Sequence, residues 1–240
     1  MKWSQLCEPG QVRQTNEDRV FAASAGDTGL FLVCDGMGGH EQGEYASSLI
    51  AAGYAAWWER LCREKARSFS EQMGELKDIL LQTHNGLLLE NRRQGRICGA
   101  TLSLLFISGG GYGILHVGDS RIYEYSQKRV RQLTCDQTWA QEQRMAGRKE
   151  RELRQSPNYG KLMQAVGCGE RLQPFSACNS LRGQVFLLCS DGVYKVLGER
   201  RLYRFIRHPA EGLGGLREHI HRRGSPDNFS AILVDTRPGL

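Results

Sequence analysis

Short apolar runs that stop abruptly at an aspartate recur along this chain. Leu30 to Cys34 (LFLVC) carries no charge and gives way at once to Asp35-Gly36, followed by Gly38-Gly39. An unbroken apolar run of this length predicts a strand buried on both faces. Tyr112 to Val117 stops at Gly118-Asp119, and Val185 to Ser190 stops at Asp191-Gly192. Pro226-Asp227-Asn228 precedes the apolar stretch Phe229 to Val234, so there the aspartate opens a strand. Further strands are predicted at Lys2 to Gly10 (with a turn), Arg19 to Ala23, Gly99 to Ile107 and Arg121 to Tyr125. Three glycines, Gly109 to Gly111, separate two of these runs and predict a hairpin.

Between the runs the periodicity changes. Glu41 to Arg63 is alanine-rich with apolar residues at helical spacing, and Ser70 to Arg93 repeats apolar residues at three- and four-residue steps. Both predict long helices. Trp57 and Trp58 read as core, and His84 and His116 as structural histidines. Leu133 to Ser156 is polar, with poor apolar spacing, and predicts a loosely packed helical excursion, a flap spanning residues 136–160. Helices are expected again around Glu199 to Arg207 and Ala210 to Arg223. No internal repeat or Pro/Ser-rich linker divides the chain, so residues 1–240 are expected to form a single domain.

Composition narrows the class. The 240 residues carry 32 Lys and Arg against 26 Asp and Glu, a net charge of +6. That modest excess reads as a solvated surface, and neither zinc-finger spacing nor an aromatic-interleaved RNA-binding motif is present, so no nucleic acid partner is expected. No apolar stretch reaches membrane-spanning length, and MKWSQLCEPG lacks the apolar core of a signal peptide, so a cytoplasmic location is expected. None of the eight cysteines forms a CxxC pair, which argues against a zinc or dithiol site.

Four aspartates, Asp35, Asp119, Asp191 and Asp227, therefore stand at strand ends, and strand ends at one rim of a sheet pair converge. Gathered carboxylates repel one another and stay ionised only if a cation compensates them. An all-oxygen set without His or Cys points to Mg²⁺ or Mn²⁺. A carboxylate such as Asp35 can bridge two ions about 3.5–4 Å apart, a geometry that prepares a water for in-line attack on phosphorus. A guanidinium suits the phosphate because it bonds two oxygens at once. Arg13, just before the acidic pair Glu17-Asp18, is the candidate.

The ordered motifs RQTNED (Arg13 to Asp18), VCDGMGGHEQG (Val33 to Gly43), GAT (Gly99 to Thr101), VGDSR (Val117 to Arg121), LTCDQT (Leu133 to Thr138), CSDGV (Cys189 to Val193) and PDNFS (Pro226 to Ser230) cover essentially the whole chain. In order and spacing they resemble the metal-dependent serine/threonine protein phosphatases of type 2C, in their bacterial single-domain form. The resemblance implies an α+β fold, an α/β/β/α sandwich of two central, mostly antiparallel sheets flanked by helices. It implies hydrolysis of phosphoserine and phosphothreonine in proteins by a metal-bridging water, with two Mn²⁺ or Mg²⁺ ions and a weaker third. By resemblance Asp35 bridges the ions, Gly36 offers its carbonyl, and Asp191 and Asp227 bind the second ion. Glu17 and Asp18 hold metal-bound waters, Asp119 shares the third ion with Asp191, and Arg13 binds phosphate. The partners implied are a phosphoprotein and a cognate Ser/Thr kinase, and the chain is expected to act as a monomer.

Two positions depart from the family pattern. Met37 stands where many eukaryotic members carry a histidine proposed as general acid, so protonation of the leaving alkoxide is expected from a metal-bound water or another group such as His40. Gln137 stands where an LTxDH pattern has histidine, which puts local structure near the flap in question. Two other functions compete: a metal-dependent hydrolase of small phosphoesters, and a catalytically inactive regulatory module.

Overall fold

The computed structural model describes residues 1–38, 41–64 and 67–238. Its strands are β1 (Lys2–Glu8), β2 (Arg19–Ala25), β3 (Thr28–Cys34), β4 (Gly36–Met37), β5 (Gly99–Ala100), β6 (Leu102–Ser108), β7 (Gly111–Val117), β8 (Arg121–Ser126), β9 (Arg129–Gln132), β10 (Phe175–Ser180), β11 (Val185–Cys189) and β12 (Phe229–Asp235). Its helices are α1 (Glu41–Leu61), α2 (Phe69–Gln94), α3 (Trp139–Met145), α4 (Glu150–Leu153), α5 (Asp191–Leu197), α6 (Glu199–Arg207) and α7 (Gly212–His221).

Among the described residues the strands build two five-stranded antiparallel sheets, ordered β1-β12-β11-β8-β9 and β10-β7-β6-β3-β2, and β4 pairs with β5. Side-chain alternation assembles four layers. On β3, Leu30, Leu32 and Cys34 pack under α1 and α2 with Tyr54, Trp57, Leu76 and Leu80. Phe31 and Val33, on the opposite face, pack against Phe186, Leu188, Ile232 and Val234 of the other sheet. Val185, Leu187 and Cys189 turn outward to Val193, Leu202, Leu216 and Ile220 of α5 to α7. Both faces of β3 and β11 are thus covered, which is why neither run carries a polar residue. The result is the expected α/β/β/α sandwich.

The predicted hairpin forms between β6 and β7, with Ser108 opposite Gly111. Gly109 and Gly110 both have positive φ, the conformation that a two-residue hairpin turn requires. The predicted strand Gly99 to Ile107 divides at Thr101 into β5 and β6. The polar edge strand β10 and the short β9 carry no apolar run and went unpredicted. So did α5, which begins directly at Asp191. His84 and His116 are both buried, as structural histidines.

Topology explains the convergence of the aspartates. β3 and β7 each run antiparallel to β6, so they run parallel to one another and their C-terminal ends share a rim. β11 runs antiparallel to β12 and β8, so the end of β11 lies beside the starts of those two strands. Asp35, Asp119, Asp191 and Asp227 therefore all stand at one end of the sandwich.

Candidate metal centre

The turns that carry the acidic residues at this rim are held by hydrogen bonds from residues distant along the chain. The N–H of Asp35 donates to Thr101 Oγ1 (2.9 Å), and Thr101 N–H returns a bond to the Asp35 carbonyl (2.9 Å). Thr101 Oγ1 also lies 2.7 Å from Ser120 Oγ, so the turn bearing Asp35 is linked to the turn bearing Asp119. Gly36 N–H donates to the Glu17 carbonyl (3.2 Å), and Gly36 pairs with Ala100 across β4 and β5. A Cβ at Gly36 would run into the Gly43 carbonyl, and one at Gly43 into the Glu17 carboxylate. Only two glycines let these backbones approach so closely.

Asn228 fastens the Arg13–Glu17 loop. Its Nδ2 donates to the carbonyls of Pro9 (2.9 Å) and Thr15 (2.8 Å), and its Oδ1 accepts from Glu17 N–H (2.9 Å). Asp18 is fully buried, and one of its carboxylate oxygens accepts from Ser190 Oγ (2.7 Å). Its other oxygen, Oδ1, has no hydrogen-bond partner. Asp119 is also buried; the hydroxyl of Tyr194 donates to its carbonyl (3.1 Å).

The electrostatics report the same gathering. Burial pushes the Asp35 carboxyl well up, and the charges of Asp18, Asp191, Asp119 and Asp227 push it further. Burial raises Asp18 to about 7 against the hydrogen bond from Ser190, with Asp191 and Asp227 adding to the rise. Burial, then Asp191, raises Asp119 to about 7, and Lys195 opposes them. Sites this crowded with carboxylates cannot all ionise without a compensating cation.

Two basic side chains stand among the carboxylates. Arg13 bonds both oxygens of Asp227, Nε at 2.9 Å and an Nη at 3.1 Å, with both side chains partly exposed. Lys195 Nζ bonds Asp191 and lies 3.8 Å from Asp119 Oδ2. Burial works against its charge, but Asp191, Asp119 and Asp35 outweigh that and raise its titration. Among the described residues, no three acidic, histidine or cysteine side chains already stand close enough to form a finished metal cage. The donor set nonetheless suits a hard divalent ion: every group is an oxygen, Arg13 and Lys195 offset only part of the negative charge, and Asp18 Oδ1 is buried without a partner.

A family profile described as Protein phosphatase 2C matches residues 11–223. The chain belongs to that family. It is 29% identical over 247 residues to the serine/threonine protein phosphatase PstP of Mycobacterium tuberculosis, covering 98% of this chain and 45% of PstP. The chain thus spans just under half the length of that relative. It is 27% identical over 241 residues to the protein phosphatase PhpP of Streptococcus pneumoniae, covering 98% of this chain and 97% of PhpP. The PstP catalytic domain in complex with two manganese ions superposes with a TM-score of 0.83 at 27% identity, over 99% and 98% of the two chains. PppA, a key regulatory component of T6SS in Pseudomonas aeruginosa, does so with a TM-score of 0.83 at 29% identity, over 98% and 97%.

The two departures from the family pattern acquire local explanations. Gln137 replaces histidine with an amide that holds the Asp119 turn: its Oε1 accepts from Gly118 N–H (2.9 Å) and its Nε2 donates to the Gln173 carbonyl (2.9 Å). The local structure near the flap is therefore supported at that position. Met37 lies in β4 opposite Gly99. Gly39 and His40, with their suggested proton donor, lie outside the described residues. Three residues at the rim went unnoticed in the sequence. Asn228 and Ser190 were visible only as neighbours of aspartates inside their motifs, and Lys195 lies two residues beyond CSDGV.

Proposed function

We propose that this chain is a Mn²⁺- or Mg²⁺-dependent phosphatase acting on phosphoserine and phosphothreonine in proteins, reversing a bacterial Ser/Thr kinase. The observation that carries the reading is Asp35, whose carboxyl feels four other carboxylates from strand ends scattered between residues 18 and 227. Membership of the protein phosphatase 2C family and similarity to a domain that binds two manganese ions support it.

In this reading Asp35, Gly36, Asp191 and Asp227 would hold two ions, Glu17 and Asp18 would hold water around them, and Asp119 would extend the set. When bound, the ions polarise the attacking water and neutralise charge on the phosphoryl oxygens. Arg13 releases Asp227 and takes the phosphate. Its present ion pair is exposed on both sides, and such pairs are worth only about 0–1 kcal/mol, so the exchange costs little. Thr101 keeps the Asp35 turn in place while this occurs, and Asn228 does the same for the Arg13–Glu17 loop. Residues 136–160 serve as a flap beside the site within one catalytic domain, 1–240, acting as a monomer.

The test is hydrolysis of a phosphothreonine peptide and a nucleoside monophosphate with Mn²⁺, with EDTA, and with Asp35→Asn. The peptide is expected to be cleaved in preference, only with metal, and Asp35→Asn is expected to lose turnover together with Mn²⁺ affinity. Preference for the nucleotide would select the small-phosphoester reading. Hydrolysis that survives both EDTA and Asp35→Asn would remove the metal mechanism.

A further inference from the structure

Lys195 has no role in the mechanism above, yet it stands among the carboxylates of Asp191, Asp119 and Asp35. It lies on α5 one helical turn after Asp191, the spacing and order, acid before base, in which such pairs attract best. Its ammonium bonds Asp191 and reaches within 3.8 Å of Asp119, whose side chain is only 8% exposed. A carboxylate that buried needs a nearby cation or must take a proton.

The place is built and braced. The Tyr194 hydroxyl, on the residue before Lys195, donates to the Asp119 carbonyl and lies 3.4 Å from Asp119 Oδ2. Arg121 lies over the Tyr194 ring, 3.7 Å from its centre. Asp136 in turn holds Arg121 through two bonds of 2.8 and 2.6 Å. This chain of contacts ties the first turn of α5 to the Asp119 turn, which places Lys195 beside both carboxylates. The Arg13–Asp227 pair differs on the acid side only: the two bases are equally exposed (53% for Lys195, 54% for Arg13), but the Asp227 side chain is 39% exposed against 8% for Asp119.

We propose that the Lys195 ammonium is the resident cation of the Asp119–Asp191 pair, standing where the resemblance places a third ion, so that this chain holds two divalent ions and not three. The inference rests on the metal-dependent reading above. A tethered ammonium competes at an effective concentration of about millimolar or more, without the entropy cost of capturing a free ion. It also halves the negative charge that an incoming ion would meet.

The test is Mn²⁺ stoichiometry and affinity by calorimetric titration of the full chain, with Lys195→Met, Lys195→Gln and Lys195→Arg beside the parent protein and thermal melting as the check on folding. The parent and Lys195→Arg are expected to bind two ions. Lys195→Met and Lys195→Gln are expected to bind a third, at least tenfold more tightly than any third site in the parent. Three ions in the parent, or two in every variant, would overturn the role of Lys195 while leaving the phosphatase reading intact. No Mn²⁺ bound by any of the four would overturn both.

Discussion

His116 shows how much of this rim depends on single buried groups. It is fully buried, with Nδ1 3.0 Å from Ser103 Oγ and Nε2–H donating to the Cys135 carbonyl at 3.1 Å. Ser103 Oγ also lies 2.7 Å from the Ser120 carbonyl, so its one proton is shared between the ring and the turn that carries Asp119. Burial pushes the titration of His116 down from 6.5 to about 4. The folded state therefore resists a proton that the unfolded chain accepts, and stability falls as the pH drops from about 6.5 to about 4. The slope is at most about 1.4 kcal/mol per pH unit. Urea unfolding at pH 7 and pH 5 is expected to show a loss about 2 kcal/mol smaller in His116→Gln than in the parent protein. Equal losses would mean that His116 is not held neutral.

At the scale of elements, the rim is made of turns tied to one another and not of any one motif. Asn228, at the entry to β12, makes three of its bonds to the segment from Pro9 to Glu17. Gly192, at the start of α5, lies so close to the Asn228 carbonyl that a Cβ would collide with it. Asn228→Ala is expected to cost about 2 kcal/mol of stability by leaving partly buried backbone groups unpaired. It is also expected to weaken Mn²⁺ binding at least tenfold in the same titration, because Glu17 loses its anchor. Unchanged affinity would show that the loop holds its place without Asn228. The flap is organised in the same local way. Thr138 caps α3 by accepting from Gln141 N–H, and Glu150 gathers Arg144, Arg154 and Tyr159. The Tyr159 hydroxyl bond, then Arg144, holds the Glu150 carboxyl down near 2. Polar pairing of this kind leaves no apolar periodicity, which is why the sequence pattern there predicted only a loose excursion.

At the scale of the whole molecule, a net charge of +6 coexists with an acidic pocket at one end of the sandwich. Binding that occurs only in the folded state stabilises it, by about 2.7 kcal/mol when the ion is present at 100 times its Kd. For a chain of this size that corresponds to a rise of roughly 5–10 °C in Tm. Mn²⁺ is expected to produce such a rise, EDTA to reverse it, and Asp35→Asn to show little of it. A Tm indifferent to Mn²⁺ in the parent protein would mean that the pocket is not closed by divalent ions. No helix among the described residues is long and apolar enough to cross a membrane.

The chain pattern by itself determined the central strands and the long helices α1 and α2 that cover one sheet, because burial on both faces of β3 and β11 demands unbroken apolar runs. It also marked Asp35, Asp119, Asp191 and Asp227, because a charge ending such a run has to leave the core. The element α5 and the strands β9 and β10 escaped it, since α5 is only seven residues long and β9 and β10 are short edge strands without an apolar run. Tertiary structure alone decided that Asn228 and Ser190 brace the rim and that Lys195 reaches both Asp119 and Asp191. Those relations depend on which ends of which strands meet, and a linear sequence encodes that meeting only through the packing of the whole.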